Sequence, residues 1–502
     1  MGRHREEDRR PHRLTHGAAH ATIRAPKKKA TGPQHCATRR LLRRIALQRR
    51  SSSPLNILAI RIRVPAGRCG TLLHTPYTAV VKVISDRSPA PRFAPTLRLL
   101  GIALLLFVAG CSESTRIDAE WHRRDMVEGM LARWLDVAPT ESGFIRTAID
   151  RRWKPLADQP GYLVEHARLV YAMAIGYEVT KDKRYLDAAN GGADFMLTRF
   201  RDPVHGGFFQ RVAPDGKVIA ASKNTYAHAF ALFALSHMFR VTGDERYRAA
   251  ALLTWKEIDA SLRDRKGGFY GELPRDFSQS DKAGGDARSQ NPLMHLFEAL
   301  LALHDATQDP AALAGAKSLG DFVVYRLLKG NSDGGAFIPE WYDIEWQPLP
   351  TREKGGYIDL GHQFEWSHML LAAERRGVSG VYGQTAERIL KFAIKVGYDE
   401  SDGGVFTKMY PDGKVDRDKN AWPQTEALRA FIAGAAANNQ SDLWRRYEQT
   451  VKLVREGFID RQNGGWYSKQ CRRGGCADAQ VEPYHMIGMH QAALAVANTQ
   501  GK

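Results

Sequence analysis

Gly206-Gly207-Phe208-Phe209 returns along the chain as Gly267-Gly268-Phe269-Tyr270, Gly334-Gly335-Ala336-Phe337, Gly403-Gly404-Val405-Phe406 and Gly464-Gly465-Trp466-Tyr467. Counted from the first glycine, the intervals are 61, 67, 69 and 61 residues. A near-constant period of this size marks an internal repeat, and each repeat has room for two helices and a connecting loop. The paired glycines permit backbone angles that a side chain forbids, and the large residue behind them can plug a neighbouring repeat.

Outward from these points the chain reads as twelve helices, starting near 117, 160, 182, 223, 244, 289, 308, 361, 382, 423, 442 and 483. Every second one is apolar or small nearly all round, as in Ala227-His228-Ala229-Phe230-Ala231-Leu232-Phe233-Ala234-Leu235. Such a helix must be buried on most sides, whereas the alternate helices are amphipathic. The pattern predicts an all-α fold, an (α/α)6 barrel of six inner and six outer helices. Links from outer to inner helices are long and carry the double glycines. Two contain Pro214-Asp215-Gly216 and Pro411-Asp412-Gly413, which suit short hairpins. The long loops therefore gather at one end, where the inner helices begin.

The net charge of +18 suggests a nucleic-acid partner, but its distribution argues against one. Residues 1–98 hold 22 Lys and Arg against 4 Asp and Glu, and the remaining 404 residues hold 51 of each sign. A nucleic-acid footprint needs a basic face on the folded domain itself. Arg98-Leu99-Leu100-Gly101-Ile102-Ala103-Leu104-Leu105-Leu106-Phe107-Val108-Ala109-Gly110-Cys111 follows basic residues, is too short to span a bilayer, and ends in small residues and a cysteine. It resembles a bacterial lipoprotein signal. The expected organisation is a basic tail or gene-model extension over 1–85, a signal over 86–111 with Cys111 as the lipidated residue, and a catalytic barrel over 112–502. That places the domain on the periplasmic side of a bacterial membrane, held by a lipid anchor. Cys471 and Cys476, separated by Arg-Arg-Gly-Gly, are a disulfide candidate in such a compartment. Too few further cysteines or histidines stand nearby for a metal site.

The starts of the inner helices collect polar and aromatic residues: His166 and Arg168; Lys223, Asn224, Tyr226 and His228; Arg288, Gln290, Asn291, His295 and Glu298; His362, Glu365 and Trp366; Trp422, Gln424 and Glu426; Glu482, Tyr484 and His485. Each left buried and unpaired would cost about 1–3 kcal/mol. So many together imply a wet cavity, and the mixture of aromatic faces and hydrogen-bonding groups suits a sugar.

Arg288-Ser289-Gln290-Asn291-Pro292-Leu293-Met294-His295-Leu296-Phe297-Glu298-Ala299, Gly361-His362-Gln363-Phe364-Glu365-Trp366, Trp422-Pro423-Gln424-Thr425-Glu426-Ala427 and Pro483-Tyr484-His485 resemble, in order, motifs of the N-acylglucosamine 2-epimerase family, which includes cellobiose 2-epimerases and mannose isomerases. The resemblance covers about 120–498 and implies an (α/α)6 barrel. It implies that His362 and His485 are the general acid/base pair and that His295 acts in ring opening or in holding the sugar. It implies further that Arg168, Tyr226, Glu298, Glu365, Trp366 and Trp422 line or support the sugar site; Asn291 and Glu426, at the inner-helix starts, are further substrate-binding candidates. No cofactor or metal is implied. Leu293 and Met486, beside two of the histidines, depart from the pattern, so the reaction is better specified than the sugar.

Histidine suits this chemistry on general grounds. Taking the weakly acidic C2 proton of an open-chain aldose needs a base that titrates near the working pH. The enediolate then needs donors at its oxygens, which Arg168 or a protonated histidine supplies. Two bases on opposite faces give epimerisation, and one base moving the proton from C2 to C1 gives an aldose–ketose isomerase. The expected activity is one of these, on a free mono- or disaccharide. The alternatives are an (α/α)6 glycosidase or glucuronyl hydrolase using Glu298, Glu365 or Glu426, a metal enzyme built on His362/Glu365 and Glu482/His485, and a non-catalytic sugar-binding lipoprotein. Monomer and homodimer both remain open.

Overall fold

The computed structural model describes residues 117–279, 285, 287–438, 440–470 and 479–500. The signal, Cys111 and the Cys471/Cys476 pair lie outside the described residues.

Among the described residues twelve helical paths follow one another. The first, α1, is built from Ala119–Arg124, a π-helical stretch Asp125–Leu131 and Ala132–Val137. Then come α2 (Leu163–Thr180), α3 (Lys183–Phe195, extended by a π-helical Met196–Phe200), α4 (Thr225–Thr242) and α5 (Glu245–Ser261). They are followed by α6 (Asn291–Thr307), α7 (Pro310–Phe322, extended by Val323–Leu327), α8 (Leu360–Arg375) and α9 (Val381–Gly397). The last three are α10 (Ala421–Asn438), α11 (Ser441–Gly457) and α12 (Tyr484–Gln500). The starts agree with those read from the sequence to within three residues.

The even-numbered helices form the inner layer. Each packs on the next even-numbered helix, and α12 packs back on α2, closing the ring. Their side chains are buried nearly all round, as the run from Ala227 to Leu235 requires. The amphipathic odd-numbered helices lie outside, and α1 packs on α12. Inner-to-outer turns repeat one local solution at Thr180-Lys181-Asp182, Thr242-Gly243-Asp244 and Thr307-Gln308-Asp309. The threonine hydroxyl bonds back to the carbonyl four residues earlier, the middle residue takes the left-handed conformation, and the aspartate caps the next helix.

The long loops are stitched into a rim around the inner-helix N-termini. Antiparallel pairs join Gly161–Tyr162 to Arg211–Val212, Lys223–Asn224 to Glu272–Leu273, Arg288–Ser289 to Trp341–Tyr342, and Ile358–Asp359 to Lys408–Met409. Single bridges at Asn420/Lys469 and Asp150/Ala479 complete the circuit. Both Pro-Asp-Gly segments turn hairpins, Arg211–Val212 against Val218–Ala220 and Lys408–Met409 against Val415–Asp416.

At two of the double glycines the turn closes against the next inner helix. At Gly404, φ is +79° and an added Cβ would lie 2.5 Å from Gln424 Oε1. That amide is already engaged, accepting from Val405 N at 2.7 Å and donating to Val405 O at 2.8 Å. His228 takes the same part at Gly207, its Nε2 accepting from Phe208 N at 2.9 Å. Buried and half-buried cations lock the turns. Lys223 reaches Asp202 and Gly206 O, Lys419 reaches Asp399 and Gly403 O, Arg288 reaches Asp264, and Arg151 reaches Asp460. Lys419→Met leaves Asp399 without its cation and is expected to cost about 3–5 kcal/mol. Urea unfolding of the two proteins checks this, and equal midpoints would remove the lock from the account.

Candidate active site

The rim encloses a cavity of about 820 Å³ at the inner-helix N-termini, lined among others by Arg168, Tyr226, Asn291, His295, His362, Trp422 and His485. His362 stands in the first turn of α8, where Asp359 caps the helix by accepting from His362 N at 3.2 Å. Its Nδ1 donates to Glu340 Oε2 at 2.7 Å, which leaves Nε2 as the free ring nitrogen. Glu340 also accepts from Ser289 Oγ at 3.1 Å and Gln290 Nε2 at 2.7 Å, and Gln290 in turn accepts from Trp366 Nε1. Burial opposes a charge on His362, but Glu340 and Asp359 override it and push its pKa up to about 10.

His485, in the first turn of α12, is anchored in the same manner, its Nδ1 donating to Glu426 Oε1 at 2.8 Å. The surroundings of the two anchoring carboxylates differ. Besides its histidine, Glu340 has the uncharged donors Ser289 and Gln290. Glu426 faces the Arg429 guanidinium at 3.1 Å and accepts from His368 Nε2 at 2.7 Å. Burial would raise the Glu426 pKa, yet Arg429 and these donors hold it well below the usual carboxylate range. Trp422 lies between the two imidazoles, its ring 4.9 Å from that of His362 and 5.5 Å from that of His485. Both histidines thus share one indole wall.

His295 meets Tyr226 edge to face at 5.1 Å and stands 6.4 Å from His485, ring to ring. Burial drives its pKa down to about 4 against the pull of Glu298, 3.6 Å away. Arg168 donates to Glu482 Oε1 at 2.6 Å and to Tyr226 OH at 2.8 Å, rather than to Glu165 on its own helix.

Several residues expected against the sugar lie elsewhere. Trp366 is fully buried behind Gln290 and does not reach the cavity. Glu365 and Glu426 are buried beneath the floor, and Glu298 accepts from Tyr484 OH and faces a second cavity at the opposite mouth of the barrel. Burial and the charge of Glu426 push the Glu365 carboxyl well above its usual range. Lys223, His228, Arg288 and Gln424 turn outward to hold the loops, and His166 donates to Gly192 O on α3. Glu340, Asp359 and Glu165 line the cavity without having been singled out. Asp359 is recoverable as an N-cap three residues before His362, whereas Glu340 sits in an irregular loop without a motif of its own.

Two groups could close around a cation among the described residues: His295 with Glu298 and Glu365, and Glu365 with Glu426 and His485, each with ligand atoms within 4.8 Å of one another. These are not the i, i+3 pairs considered from the sequence. Arg429 already supplies a positive charge to Glu298 and Glu426.

Residues 143–489 match the model of the N-acylglucosamine 2-epimerase (GlcNAc 2-epimerase) family. The chain is 32% identical over 327 residues to a mannose-6-phosphate isomerase of Rhizobium meliloti, spanning 61% of this chain and 80% of that protein. It is 24% identical over 349 residues to a cellobiose 2-epimerase of Eubacterium cellulosolvens, spanning 64% and 84%. In fold it is similar to the cellobiose 2-epimerase of Spirochaeta thermophila, with a TM-score of 0.69 at 20% identity, covering 82% of this chain and 99% of that one. The twelve-helix ring, the motif-bearing inner helices and this match across more than half the sequence place the chain in the N-acylglucosamine 2-epimerase family.

Proposed function

We propose that the protein moves the C2 proton of a free mono- or disaccharide through an enediolate, as a 2-epimerase or an aldose–ketose isomerase, with His362 and His485 as the acid/base pair. The coarser statement stands on family membership: the chain is an isomerase or epimerase acting on carbohydrates. What supports the finer one is a single arrangement. Two imidazoles, each tied through Nδ1 to a buried glutamate, flank Trp422 in one cavity.

The inequality of the two anchors supports a division of roles. His362, beside a carboxylate with no other cation among the described residues, carries a proton at neutral pH and serves as acid and oxyanion partner. His485, whose glutamate is already matched by Arg429, serves as the base that takes the C2 proton. Trp422 gives the sugar a flat apolar face, and His295 acts at ring opening. The paired-carboxylate alternative draws no support from the placement of Glu298, Glu365 and Glu426 outside the sugar cavity.

We also propose that the enzyme is a periplasm-facing lipoprotein anchored at Cys111, on the strength of the apolar run ending in Val108-Ala109-Gly110-Cys111. Incubation of the full-length protein with free aldoses in heavy water, followed by NMR at C2, tests the reaction. Deuterium in a new aldose identifies an epimerase, and deuterium with a ketose identifies an isomerase. No label in any sugar removes the proposal.

A further inference from the structure

Resting on that reading of the cavity, a second question is what recognises the part of the sugar that does not react. The inner ring has six helices, and α2 stands three positions from α8, hence across the cavity from His362. On α2 the cavity is lined by Glu165 and Arg168, which share a helix face at i, i+3 spacing. Two carboxylates meet this wall. Glu482 is satisfied, since Oε1 accepts from Arg168 and Oε2 accepts from Tyr484 N at 2.9 Å. Glu165 is not: its Oε2 is buried without a hydrogen-bond partner. Arg168 has spent Nη1 on Glu482 and Nη2 on Tyr226, and its Nε is likewise buried and unpartnered. On α6, Asn291 Oδ1, another cavity-lining atom, has none either. Buried polar atoms are rarely left without partners. Three of them around one cavity mark the place where a ligand supplies what the protein lacks.

We propose that Glu165 is a substrate-contacting, specificity-determining residue whose carboxyl binds a sugar hydroxyl outside the reacting C1–C2 pair, with Asn291 and Arg168 Nε completing the contact. Burial raises the Glu165 pKa against the pull of Arg168, and the unpartnered Oε2 is an acceptor for that hydroxyl. A site built around a hydroxyl discriminates sharply against the analogue lacking it, because its own polar groups are then stranded.

The test pairs protein variants with deoxy-sugars. The wild-type full-length enzyme, Glu165→Gln and Glu165→Leu are assayed by C2 deuterium exchange on the hexose turned over best and on its 3-, 4- and 6-deoxy forms. Binding is read in parallel by calorimetry. Wild type is expected to lose about 10- to 100-fold in kcat/KM on one of the deoxy forms. Glu165→Leu is expected to lose a similar factor on the parent sugar and to treat that one deoxy form and the parent alike, with Glu165→Gln between. A Glu165→Leu variant that keeps the full wild-type preference against every deoxy form overturns the assignment while leaving the epimerase or isomerase reading intact. Absence of exchange by wild type on all sugars overturns that reading, and calorimetry then decides Glu165 alone: unchanged affinity in Glu165→Leu rejects it, and loss confined to one hydroxyl supports it.

Discussion

His485→Asn and His362→Asn are each expected to lower the rate of C2 inversion or carbonyl transfer by about 10²–10⁴-fold, the usual contribution of one acid/base group. Neither is expected to weaken sugar binding by a comparable factor. The two variants should fail differently. In a two-base epimerase each face of C2 keeps its own base, so a single variant still washes deuterium into one epimer while inversion stops. In a one-base isomerase the variant lacking the base loses exchange altogether, and the other retains a slow residue. Stopped-time NMR with both substrate epimers in heavy water separates these patterns. Either variant remaining within threefold of wild type for product formation would take its histidine out of the chemistry. Circular dichroism on each variant guards against a folding defect, since Glu426 loses one of its partners when His485 changes.

Steep loss of stability below pH 6.5 is the second large effect. Burial lowers the pKa of His122 to about 2, of His237 to about 3, and of His166, His228 and His295 to about 4. In the unfolded chain each titrates near 6.5. Between these values the unfolded state binds protons that the native state refuses, so stability falls as pH falls, by roughly 1.4 kcal/mol per pH unit for each histidine. The five act together from about pH 6.5 down to about pH 4, enough to bring acid unfolding above the range where carboxylates protonate. His362 has the opposite sign. Its folded pKa of about 10 lies above the unfolded value, so its contribution is full below pH 6.5 and is lost as pH rises towards 10. Stability should therefore peak near neutrality. Urea midpoints at pH 7, 6 and 5 provide the measurement, and a flat profile across them would contradict the burial of these rings as neutral groups.

The fold was legible because two periods were present at once, the double-glycine repeat and the alternation of wholly apolar with amphipathic helices. The placement of His362 and His485 in one cavity was legible because their motifs begin inner helices, and the topology sends all such beginnings to one mouth. What the sequence withheld was rotation. An amphipathic helix declares its buried face, but α4, α6 and α8 are apolar nearly all round and declare none. His228 on α4 could thus pass for a cavity group while in fact turning outward to the Phe208 turn, and Lys223 and Arg288, in the rim strands just ahead of α4 and α6, turn outward to Asp202 and Asp264. Depth was hidden for the same reason, which is why Trp366 and Glu365 were expected at the sugar and stand behind or below it. Glu340 came from a loop with no periodicity to read, and only its contact with His362 reveals it.

The rim is completed by its two ends: Asp150 bridges Ala479, Arg151 reaches Asp460, and α1 rests on α12. Arg168 likewise waits for Glu482, 314 residues downstream. A chain emerging vectorially from the ribosome can assemble hairpin after hairpin, yet it holds an open arc until its last helix is released. Such long-separation closure is slow. On the proposed mechanism, a nonsense codon anywhere before α12 yields an unstable product that also lacks one of its two acid/base histidines, since His485 is delivered by the same segment that shuts the circle.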